Sequence, residues 1–483
     1  MISKSLHASG SLFQKYFELK RRQSRQKRGL HDPMNLSPAS YRTSLSLVTI
    51  GVLITFCMVS RGFAEKTSER KVITLEQAYD RTLISDQSVR IAYIEIRKAN
   101  LLPWGALTKL TPRISAGYSY NHSESKTSSL FDVPSSIGVA GTQNTNLSLQ
   151  QTLIDFTFFP AYRYARLSGI SARLQYQLTI RNVLFGVAKA YYEVLKQQKI
   201  VAVDKDTLGL AEKQLQLSQD QYDVGAVSKV DVLRGQSTLE SAKQTLISDQ
   251  NILTLDRDVL ANTLNLQGDA RNFDVTQPAD AAEKAGKLED DLAQAYANRE
   301  DYKASSIAIQ QNIELRKQVL GQYAPTVSAQ FSKNWAETSS SPNSDSWDAL
   351  VAVQVPIFTG GQREIDLRTA HHNIDEARLN LETAAKNVES DVRTTWLEVQ
   401  TLHETIQSLE AQVAANEQNY KDLVNQYQAG TATSLDTQTG LIQLVTTRTT
   451  LITQIYQYQI ALRDLQRSMA SFQNKRVKNA HIP

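Results

Sequence analysis

Residues 362–429 read QREIDLRTAHHNIDEARLNLETAAKNVESDVRTTWLEVQTLHETIQSLEAQVAANEQNYKDLVNQYQA, a stretch of 68 residues without glycine or proline. As one continuous α-helix, a segment of this length would extend roughly 100 Å. Its C-terminal part has the alternating 4-3 spacing of a coiled-coil seam. The seam residues are Leu402, Ile406, Leu409, Val413, Asn416, Tyr420, Leu423 and Tyr427. Charged and amide residues fill the other faces, so this helix is expected to pack on other helices in water and not in lipid.

A second seam with the same spacing runs through the first half of the chain, and both seams end in the same motif. The first seam contains Val201, Leu208, Ala211, Leu215, Ser218 and Tyr222. The shared motif is Tyr-x-x-Gly-x-x-(Ser/Thr)-x-(Val/Leu)-Asp. Its residues are Tyr222, Gly225, Ser228, Val230 and Asp231 in the first copy, and Tyr427, Gly430, Thr433, Leu435 and Asp436 in the second. A glycine just past a helix suits a left-handed cap, and Ser or Thr three residues before Asp suits a capping box. Each copy therefore predicts a tight helical hairpin.

The duplication extends beyond the hairpins. Residues 190–194 (AYYEV) correspond to residues 395–399 (TWLEV) with the same offset of 205 as the two hairpin motifs, and residues 111–116 (TPRISA) correspond to residues 324–329 (APTVSA). Each half is predicted as helix, two strands, long helix, turn and long helix. Opening helices are expected at residues 74–102 and 288–322, each stopped by a proline, at Pro103 and Pro112 in the first half and at Pro325 in the second.

The segments after these prolines alternate between apolar and polar residues. Ile114, Ala116, Tyr118 and Tyr120 would face one side, and the intervening Arg113, Ser115, Gly117 and Ser119 the other. Val327, Ala329 and Phe331 alternate in the same way in the second half, and partner strands are expected near residues 145–156 and 347–358. Such segments suit a membrane β-barrel, but a half-buried soluble sheet would show the same pattern.

The first 64 residues have the features of a secretory signal. Residues 44–59 are apolar, basic residues precede them, and Gly62-Phe63-Ala64 offers a small-residue cleavage site. Translation is expected to start at Met34, with a signal-anchor as the alternative. Residues 1–64 hold ten of the 53 basic and two of the 49 acidic residues, which leaves a net charge of −4 for the rest. Nucleic-acid binding thereby loses its main support.

The expected organisation is a signal peptide (1–64), a first structural repeat (65–270), a linker (271–287), a second structural repeat (288–470) and a C-terminal tail (471–483). The only cysteine, Cys57, lies in the apolar run and would leave with the signal. The bulky Phe56 before it does not suit a lipoprotein cleavage site. Without a thiol, the mature chain would have no disulfide and no cysteine-based chemistry.

The duplicated plan, the Pro-led strands, the segment Pro356-Ile357-Phe358-Thr359-Gly360-Gly361 and the two Tyr-x-x-Gly tips together resemble the TolC-like outer-membrane factors over about residues 72–470. The resemblance implies a mainly α protomer with a membrane β-barrel portion, three copies of which form a twelve-stranded barrel and an α-helical tunnel. It implies a passive, non-enzymatic conduit in the bacterial outer membrane with a large periplasmic portion. It implies a homotrimer whose partners are a periplasmic adaptor, an inner-membrane RND or ABC transporter, and outer-membrane lipid.

The resemblance also assigns roles to the tips. Asp436 matches an aspartate of the periplasmic aperture, Tyr427 matches a tyrosine that helps to hold the aperture closed, and Asp231 and Tyr222 are their counterparts in the first repeat. The next aperture aspartate of the family is replaced by Thr439, which puts a double carboxylate ring and strong cation selectivity in doubt. Gly225, Ser228, Val230, Gly430, Thr433 and Leu435 match the tip that adaptors contact. Helix capping alone would also explain both aspartates.

Catalytic, metal and cofactor sites are not expected. His371-His372 and His403-Glu404 lack the spacing of a His-Glu-x-x-His zinc motif. Gly360-Gly361 lacks the lysine of a phosphate-binding loop and suits a turn, and the basic tail at Lys475, Arg476 and Lys478 is expected to be solvated. Two other functions stay open: a soluble periplasmic coiled-coil adaptor, which would normally carry one hairpin, and a cytoplasmic coiled-coil scaffold, which the signal disfavours.

Overall fold

The computed structural model describes residues 71–126, 137–271, 273–278, 286–338 and 341–479. The predicted signal peptide and Cys57 lie outside these residues, as does part of the predicted linker. The first repeat contains strand β1 (Lys71–Ile73), helices α1 (Leu75–Ser85) and α2 (Gln87–Leu107), strands β2 (Arg113–Lys126) and β3 (Ile137–Ile154), and helices α3 (Phe158–Asp223) and α4 (Lys229–Thr263). A 3₁₀ turn (Gly268–Arg271) and strand β4 (Phe273–Val275) follow.

The second repeat follows the same order. It contains helices α5 (Leu288–Asn298) and α6 (Glu300–Gly321), strands β5 (Thr326–Thr338) and β6 (Ser341–Gln354), and helices α7 (Gln362–Gln428) and α8 (Ser434–Ser468), followed by α9 (Asn474–Asn479). We call α3 and α4 the first hairpin, and α7 and α8 the second hairpin. The predicted plan of helix, two strands, long helix, turn and long helix is confirmed in both halves. Helices α3 and α7 have 66 and 67 residues, so each is about 100 Å long.

The opening helices differ from the prediction, because each is broken in two. Asp86 ends α1 and caps α2 by accepting a hydrogen bond from the Val89 amide (3.0 Å). Arg299 separates α5 from α6, and its side chain binds Asp301 and Asp391 at the break (2.6 and 3.0 Å). Asp86 thus binds a backbone amide at its break, and Arg299 binds two carboxylates at the other. The sequence pattern did not reveal either break.

Pro103 does not end its helix, so that prediction was wrong. Helix α2 continues to Leu107, and the amide of Thr108 still donates to the carbonyl of Trp104 (3.0 Å). A proline this close to the helix C-terminus removes one backbone hydrogen bond, and the turn that follows it keeps its backbone hydrogen bonds. Pro112 and Pro325 do lie directly before β2 and β5, as predicted.

Four strands form one antiparallel sheet in the order β2-β3-β5-β6. Strands β3 and β6 begin earlier and end sooner than the expected ranges 145–156 and 347–358, because pairing continues along their partners to Lys126↔Ile137 and Thr338↔Ser341. The register aligns Ile114, Leu149, Phe331 and Ala349 across the sheet, and on the other face Ser115, Ser148, Ser332 and Asp348. The predicted alternation of β2 and β5 is therefore confirmed at these positions, and β3 and β6 continue both faces. Lys333 and Asp345 are exceptions on the apolar face, where they form an ion pair, and Leu350 is an exception on the polar face.

The polar face carries hydrogen bonds between neighbouring strands. The hydroxyl groups of Ser115 and Ser148 are 2.6 Å apart, and the Asn146 amide donates to Asn334 across the junction of the two repeats (2.8 Å). Within the described residues, β2 and β6 each pair on one side only. The sheet of one chain therefore has two open edges.

A two-stranded parallel sheet, β1 with β4, was not predicted. Each strand has three residues, too few for a period to be read, and β4 falls in the expected linker. The Tyr191 hydroxyl lies between the two strands, 3.0 Å from the Ile73 carbonyl and within reach of the Thr276 amide (3.1 Å). This small sheet joins the start of the first repeat to its end.

The described part of the tail, residues 471–479, is docked on the core. Lys475 and Lys478 are exposed, as predicted, but Arg476 is not free in solvent. Phe472 and Val477 are 2% exposed and join the core beside α1 and α3. Arg476 binds Glu76 and Asp80 of α1 (2.6 and 2.9 Å). The basic residue that was expected to be free therefore fastens the tail.

A buried ion pair holds the two repeats and the tail together. The Arg181 guanidinium on α3 donates to both carboxylate oxygens of Glu300 on α6 (2.5 and 3.3 Å), and also to the Phe472 carbonyl (2.6 Å). The two side chains are only 2% and 7% exposed. Two charges so deeply buried tolerate the loss of a partner poorly, because the remaining charge is left uncompensated.

Replacing Glu300 with alanine should therefore destabilise the protein by about 3–5 kcal/mol, measured as loss of helical circular dichroism with denaturant. The double variant Arg181→Met/Glu300→Leu should recover most of this loss, since no charge is left buried. The exposed pair Arg393–Glu389 is the control, and its removal should change stability little. A single variant as stable as the wild type would contradict this account.

Candidate functional site

The end of each helical hairpin is a sharp turn built on a glycine. Gly225 and Gly430 have φ values of +75° and +73°, the left-handed conformation that glycine adopts without strain. The amide after each glycine donates back to the helix that has just ended, from Ala226 to Gln221 (2.8 Å) and from Thr431 to Gln426 (2.9 Å). These bonds satisfy helix carbonyls that would otherwise lack partners. Both predicted caps are present.

The next helix in each hairpin begins with the predicted capping box. The Ser228 backbone amide and hydroxyl donate to the Asp231 carboxylate (3.1 and 2.8 Å). The Thr433 amide and hydroxyl donate in the same way to Asp436 (2.9 and 2.6 Å). These carboxylates also lie at a helix N-terminus, where negative charge is favourable.

The two aspartates nevertheless differ in their surroundings. Asp231 also accepts a hydrogen bond from the Ser434 hydroxyl of the second hairpin and lies 3.6 Å from Arg234. The Ser434 bond is the main cause that lowers the pKa of Asp231. Asp436 is bonded to Thr433 of its own turn, and that bond lowers its pKa in full contact with solvent. Both carboxylates are therefore ionised at neutral pH, but only Asp231 links the two hairpins.

The two tyrosines of the motif also differ. Tyr427 is 2% exposed, its hydroxyl is 3.2 Å from that of Ser218, and its carbonyl accepts from the Gln221 amide (3.1 Å). Tyr222 is 42% exposed. The second-repeat tyrosine therefore lies between the hairpins, and its first-repeat counterpart faces outwards.

Sequence reasoning missed several residues that join the hairpins. The Gln214 amide donates to the Thr437 hydroxyl (3.1 Å), and Arg234 approaches Ser434 (3.5 Å). The signal that could have revealed them is the helical spacing of Gln214 and Gln221 on either side of the seam residue Ser218, which puts all three on one face of α3. We call the contacts of α3 and α4 with Tyr427, Ser434 and Thr437 the inter-hairpin link.

The remaining predicted tip residues are on the surface. Val230 and Leu435 are 54% and 53% exposed and occupy equivalent places in the two repeats. Thr439 is exposed, and its hydroxyl donates to the Leu435 carbonyl of its own helix (2.8 Å). It occupies the place that Arg234 has in the first repeat. Each tip therefore presents an exposed apolar side chain near a carboxylate, and the first tip also exposes Val224 (79%).

Among the described residues, no three His, Cys, Asp or Glu side chains are close enough together to hold a metal ion. No helix in the described part of the chain is both long and apolar enough to cross a membrane.

Paired helical hairpins of this length, attached to a sheet with one apolar face, define the class of outer-membrane channel protomers. The family model described as outer membrane efflux protein matches residues 78–266 and 291–471, so this chain belongs to the outer membrane efflux protein family. The predicted TolC-like resemblance and the outer-membrane localisation are thereby confirmed. The family is one of channels and not of enzymes.

Solved channel structures share the fold at low sequence identity. The CmeC outer membrane channel of Campylobacter jejuni has a TM-score of 0.70 at 14% identity, with 84% of this chain and 89% of that chain covered. The outer membrane protein VceC of Vibrio cholerae has a TM-score of 0.68 at 19% identity, with coverage of 82% and 95%. The MtrE outer membrane channel of Neisseria gonorrhoeae, in an open state, has a TM-score of 0.65 at 18% identity, with coverage of 82% and 88%.

Replacing Gly430 with valine should destabilise the second tip, because a β-branched residue in the left-handed conformation costs about 1–2 kcal/mol or more. Amide hydrogen exchange of residues 421–437 should then be roughly 5–30 times faster than in the wild type. Asparagine at the same position should have a smaller effect, since it tolerates this conformation better.

The matched control is Gly209→Ala, within α3, where an added Cβ meets no atom within 4 Å. This change should leave exchange at the second tip unaltered. Equal exchange in Gly430→Val and wild type would show that the left-handed turn does not limit tip stability.

Proposed function

We propose that this chain is the outer-membrane component of a tripartite efflux or type I secretion system. In this proposal three copies form a passive conduit across the periplasm and the outer membrane for substrates delivered by an inner-membrane transporter. The observation that carries the proposal is the four-stranded sheet with two open edges and one largely apolar face, on which Lys333 and Asp345 form an ion pair (3.2 Å).

The sheet supports closure by several copies. Strands β2 and β6 run in opposite directions, because each of the three junctions in the order β2-β3-β5-β6 is antiparallel. Strand β6 of one copy can therefore pair with β2 of the next copy and keep the sheet antiparallel. An open edge is not tolerated in lipid, and bacterial barrels have at least eight strands. Three copies give twelve strands.

The two faces of the sheet suit lipid outside and water inside. The apolar face carries exposed Ile114, Tyr118, Trp347, Val351 and Val353. The polar face carries the Ser115–Ser148 and Asn146–Asn334 hydrogen bonds. Alternation of this kind along each strand is typical of a membrane barrel with a water-filled interior.

The helices below the sheet are left with free faces in one copy. Helix α3 packs on α8, which leaves α4 and α7 on the two sides of the layer. Exposed apolar side chains lie on both, Ile247 and Leu255 on α4 and Leu379 and Leu397 on α7. Packing α4 of one copy against α7 of the next would cover these side chains and continue the sheet closure as a helical tunnel.

The tips would then surround the periplasmic end of the tunnel. Asp436 is the exposed, ionised carboxylate there, so three copies would place a ring of negative charge that attracts cations. Thr439 contributes no second charge, and Asp231 is already bound to Ser434 and Arg234. We assign the aperture role to Asp436 and Tyr427, with Asp231, Tyr222 and Thr439 around them.

The exposed surface of the tips is where we place the periplasmic adaptor. Gly225, Ser228 and Val230 of the first tip, and Gly430, Thr433 and Leu435 of the second, present two equivalent small surfaces per copy, and Val230 and Leu435 supply apolar contact. The transporter behind the adaptor would be of the RND or ABC class. In this proposal the transporter selects the cargo.

Closure by three copies predicts disulfides between β2 and β6 of neighbouring copies. Gly117 and the β6 residues Ser344, Ser346, Asp348 and Leu350 lie on the same face, so cysteine at 117 combined with cysteine at one of these positions should cross-link. Outer-membrane fractions on non-reducing gels should contain dimers and trimers and nothing larger. Cysteine at 117 alone is the control.

A ladder beyond three copies, or monomers in every combination, would contradict the closure. Soluble periplasmic monomer in the same fractionation would favour the adaptor alternative.

Replacing Asp436 with alanine should reduce block by multivalent cations in planar bilayers and raise single-channel conductance, because the exposed carboxylate is removed from the aperture. The matched control is Asp375→Ala, an exposed carboxylate on α7 far from the tip. Unchanged block in Asp436→Ala would reduce Asp436 to a helix cap.

A further inference from the structure

The first hairpin contains two carboxyl groups on its seam where the second hairpin has none. Asp204 lies between Val201 and Leu208 in the 4-3 spacing of α3, and its counterpart at the offset of 205 is Leu409. Asp249 lies between Leu246 and Leu253 on α4 in the same spacing, and its counterpart is Gln454. The two repeats therefore share a frame, but this layer of the coiled coil carries carboxyl groups in the first hairpin only.

In the structure these two carboxyl groups lie between the packed helices. Asp204 is 4% exposed, and its carboxyl group lies close enough to that of Asp249 for the two to interact. The Gln197 amide donates to the Asp249 carboxylate and to its carbonyl (3.2 Å each). The Oδ2 atom of Asp204 is buried and has no hydrogen-bond donor.

Such a contact requires a proton. Ionised carboxylates are acceptors only, so two of them in contact repel and share no donor. One proton converts the contact into a hydrogen bond between an acid and a carboxylate. Burial, and then the neighbouring Asp249, raise the pKa of Asp204 to about 7.

The charged side chains near Asp204 and Asp249 are either exposed or paired with other residues. On α3, Lys205 follows Asp204 but is exposed; on α4, Lys243 binds Glu240 (2.8 Å). Residues of α8 that line the adjoining cavity carry no titratable group: they are Gln438, Leu441, Ile442, Val445 and Thr446. Further along α8, Arg448 binds Glu417 of α7 (2.5 Å).

The next carboxyl group on the seam towards the base is that of Asp256. Burial and Glu193 raise the pKa of Asp256, and Lys196 lowers it; Asp204 does not shift it. Within the described residues, therefore, no cation neutralises the Asp204–Asp249 pair.

We propose that Asp204 and Asp249 hold a single proton between them, and that loss of this proton loosens the seam of the first hairpin. The adjoining cavity of about 300 Å³ supports this movement. It is lined by Asp204 and by hydroxyl groups that include Thr207, Ser241 and Thr245, which can solvate the carboxylate once the helices separate. The proposal concerns the hairpin itself and does not depend on the channel function.

The sign of the pH effect follows from the raised pKa. The closed seam binds a proton more tightly than the open one, in which Asp204 has the ordinary pKa of an aspartate, 3.8. Closure therefore weakens as the pH rises from about 4 to about 7, by up to about tenfold per pH unit for one proton. Above about pH 7 the effect levels off, because both states are then ionised.

The test is amide hydrogen exchange of the purified full chain between pH 5 and pH 8, corrected for the intrinsic dependence of exchange on pH. Protection of residues 200–208 and 245–253 should fall by up to about tenfold per unit between pH 5 and 7 and then level off. The equivalent segments of the second hairpin, 405–413 and 450–458, are the internal control and should show no such fall.

Three variants complete the design. Asp204→Leu, which copies Leu409, and Asp204→Asn, which stays neutral, should both keep the first hairpin protected at all pH values in this range. Asp206→Asn, an exposed carboxyl on the same helix, should retain the wild-type profile. A band of protonated carboxyl in the infrared spectrum at pH 6 should disappear in both Asp204 variants.

The proposal is overturned by equal pH profiles in the two hairpins, or by a profile that persists in Asp204→Asn. It is also overturned if protection at pH 8 is restored by added Mg²⁺ or Ca²⁺, since the pair would then be a metal site.

Discussion

The open edges of the four-stranded sheet are the constraint on which the rest of the molecule depends. Backbone amide and carbonyl groups of β2 and β6 need partners, and lipid supplies none. Because the two edges are antiparallel, identical copies can satisfy each other's edges. The helices are covalently attached to the same strands, α2 before β2 and α7 after β6, so pairing of the edges also brings the free sides of the helical layers together. In the proposed assembly, closure of the sheet and closure of the tunnel would thus be one event.

The duplicated frame lets two equivalent positions carry different chemistry. Asp231 and Asp436 cap equivalent helices, yet the first is tied to the other hairpin through Ser434 and the second is left in solvent. Tyr222 and Tyr427 end equivalent helices, yet one is exposed and the other buried. A capping box stabilises a turn whatever the protein does. The neighbours of the motif, and not the motif itself, therefore decide whether its aspartate and its tyrosine contact the other hairpin or solvent.

Much of this frame was readable from the sequence, for identifiable reasons. The seams of α3 and α7 follow from spacing alone, because the period of a coiled coil extends over many turns. The tips follow from Gly225 and Gly430, since few other residues adopt a left-handed turn. The break at Arg299 could not be read, because its partner Asp391 lies on α7 and is brought there by tertiary packing. The break at Asp86 is made by a local N-cap bond from the Val89 amide, and the helical pattern on both sides of it concealed the break.

The inter-hairpin link was missed for a related reason. Gln214, Ser218 and Gln221 are polar residues at or beside the seam of α3, and only the position of α8 and of the end of α7 gives them partners. Likewise the docked tail depends on Phe472 and Val477, two apolar residues in a short basic segment. Sequence patterns report the period of a face well, but they do not report which element will cover it.

The distribution of interactions along the hairpins suggests how one protein can be rigid at the sheet and adjustable at the tips. Near the base, α3 is held by the buried Arg181–Glu300 pair and by a core that includes Leu184, Tyr191 and Leu260. At the tips the two hairpins are joined mainly by hydrogen bonds between polar side chains, each worth about 0.5–1.5 kcal/mol. Breaking a few such bonds costs far less than exposing a core or separating a buried ion pair. A partner that contacts the exposed surface of the tips could therefore separate the hairpins there and leave their attachment to the sheet unchanged.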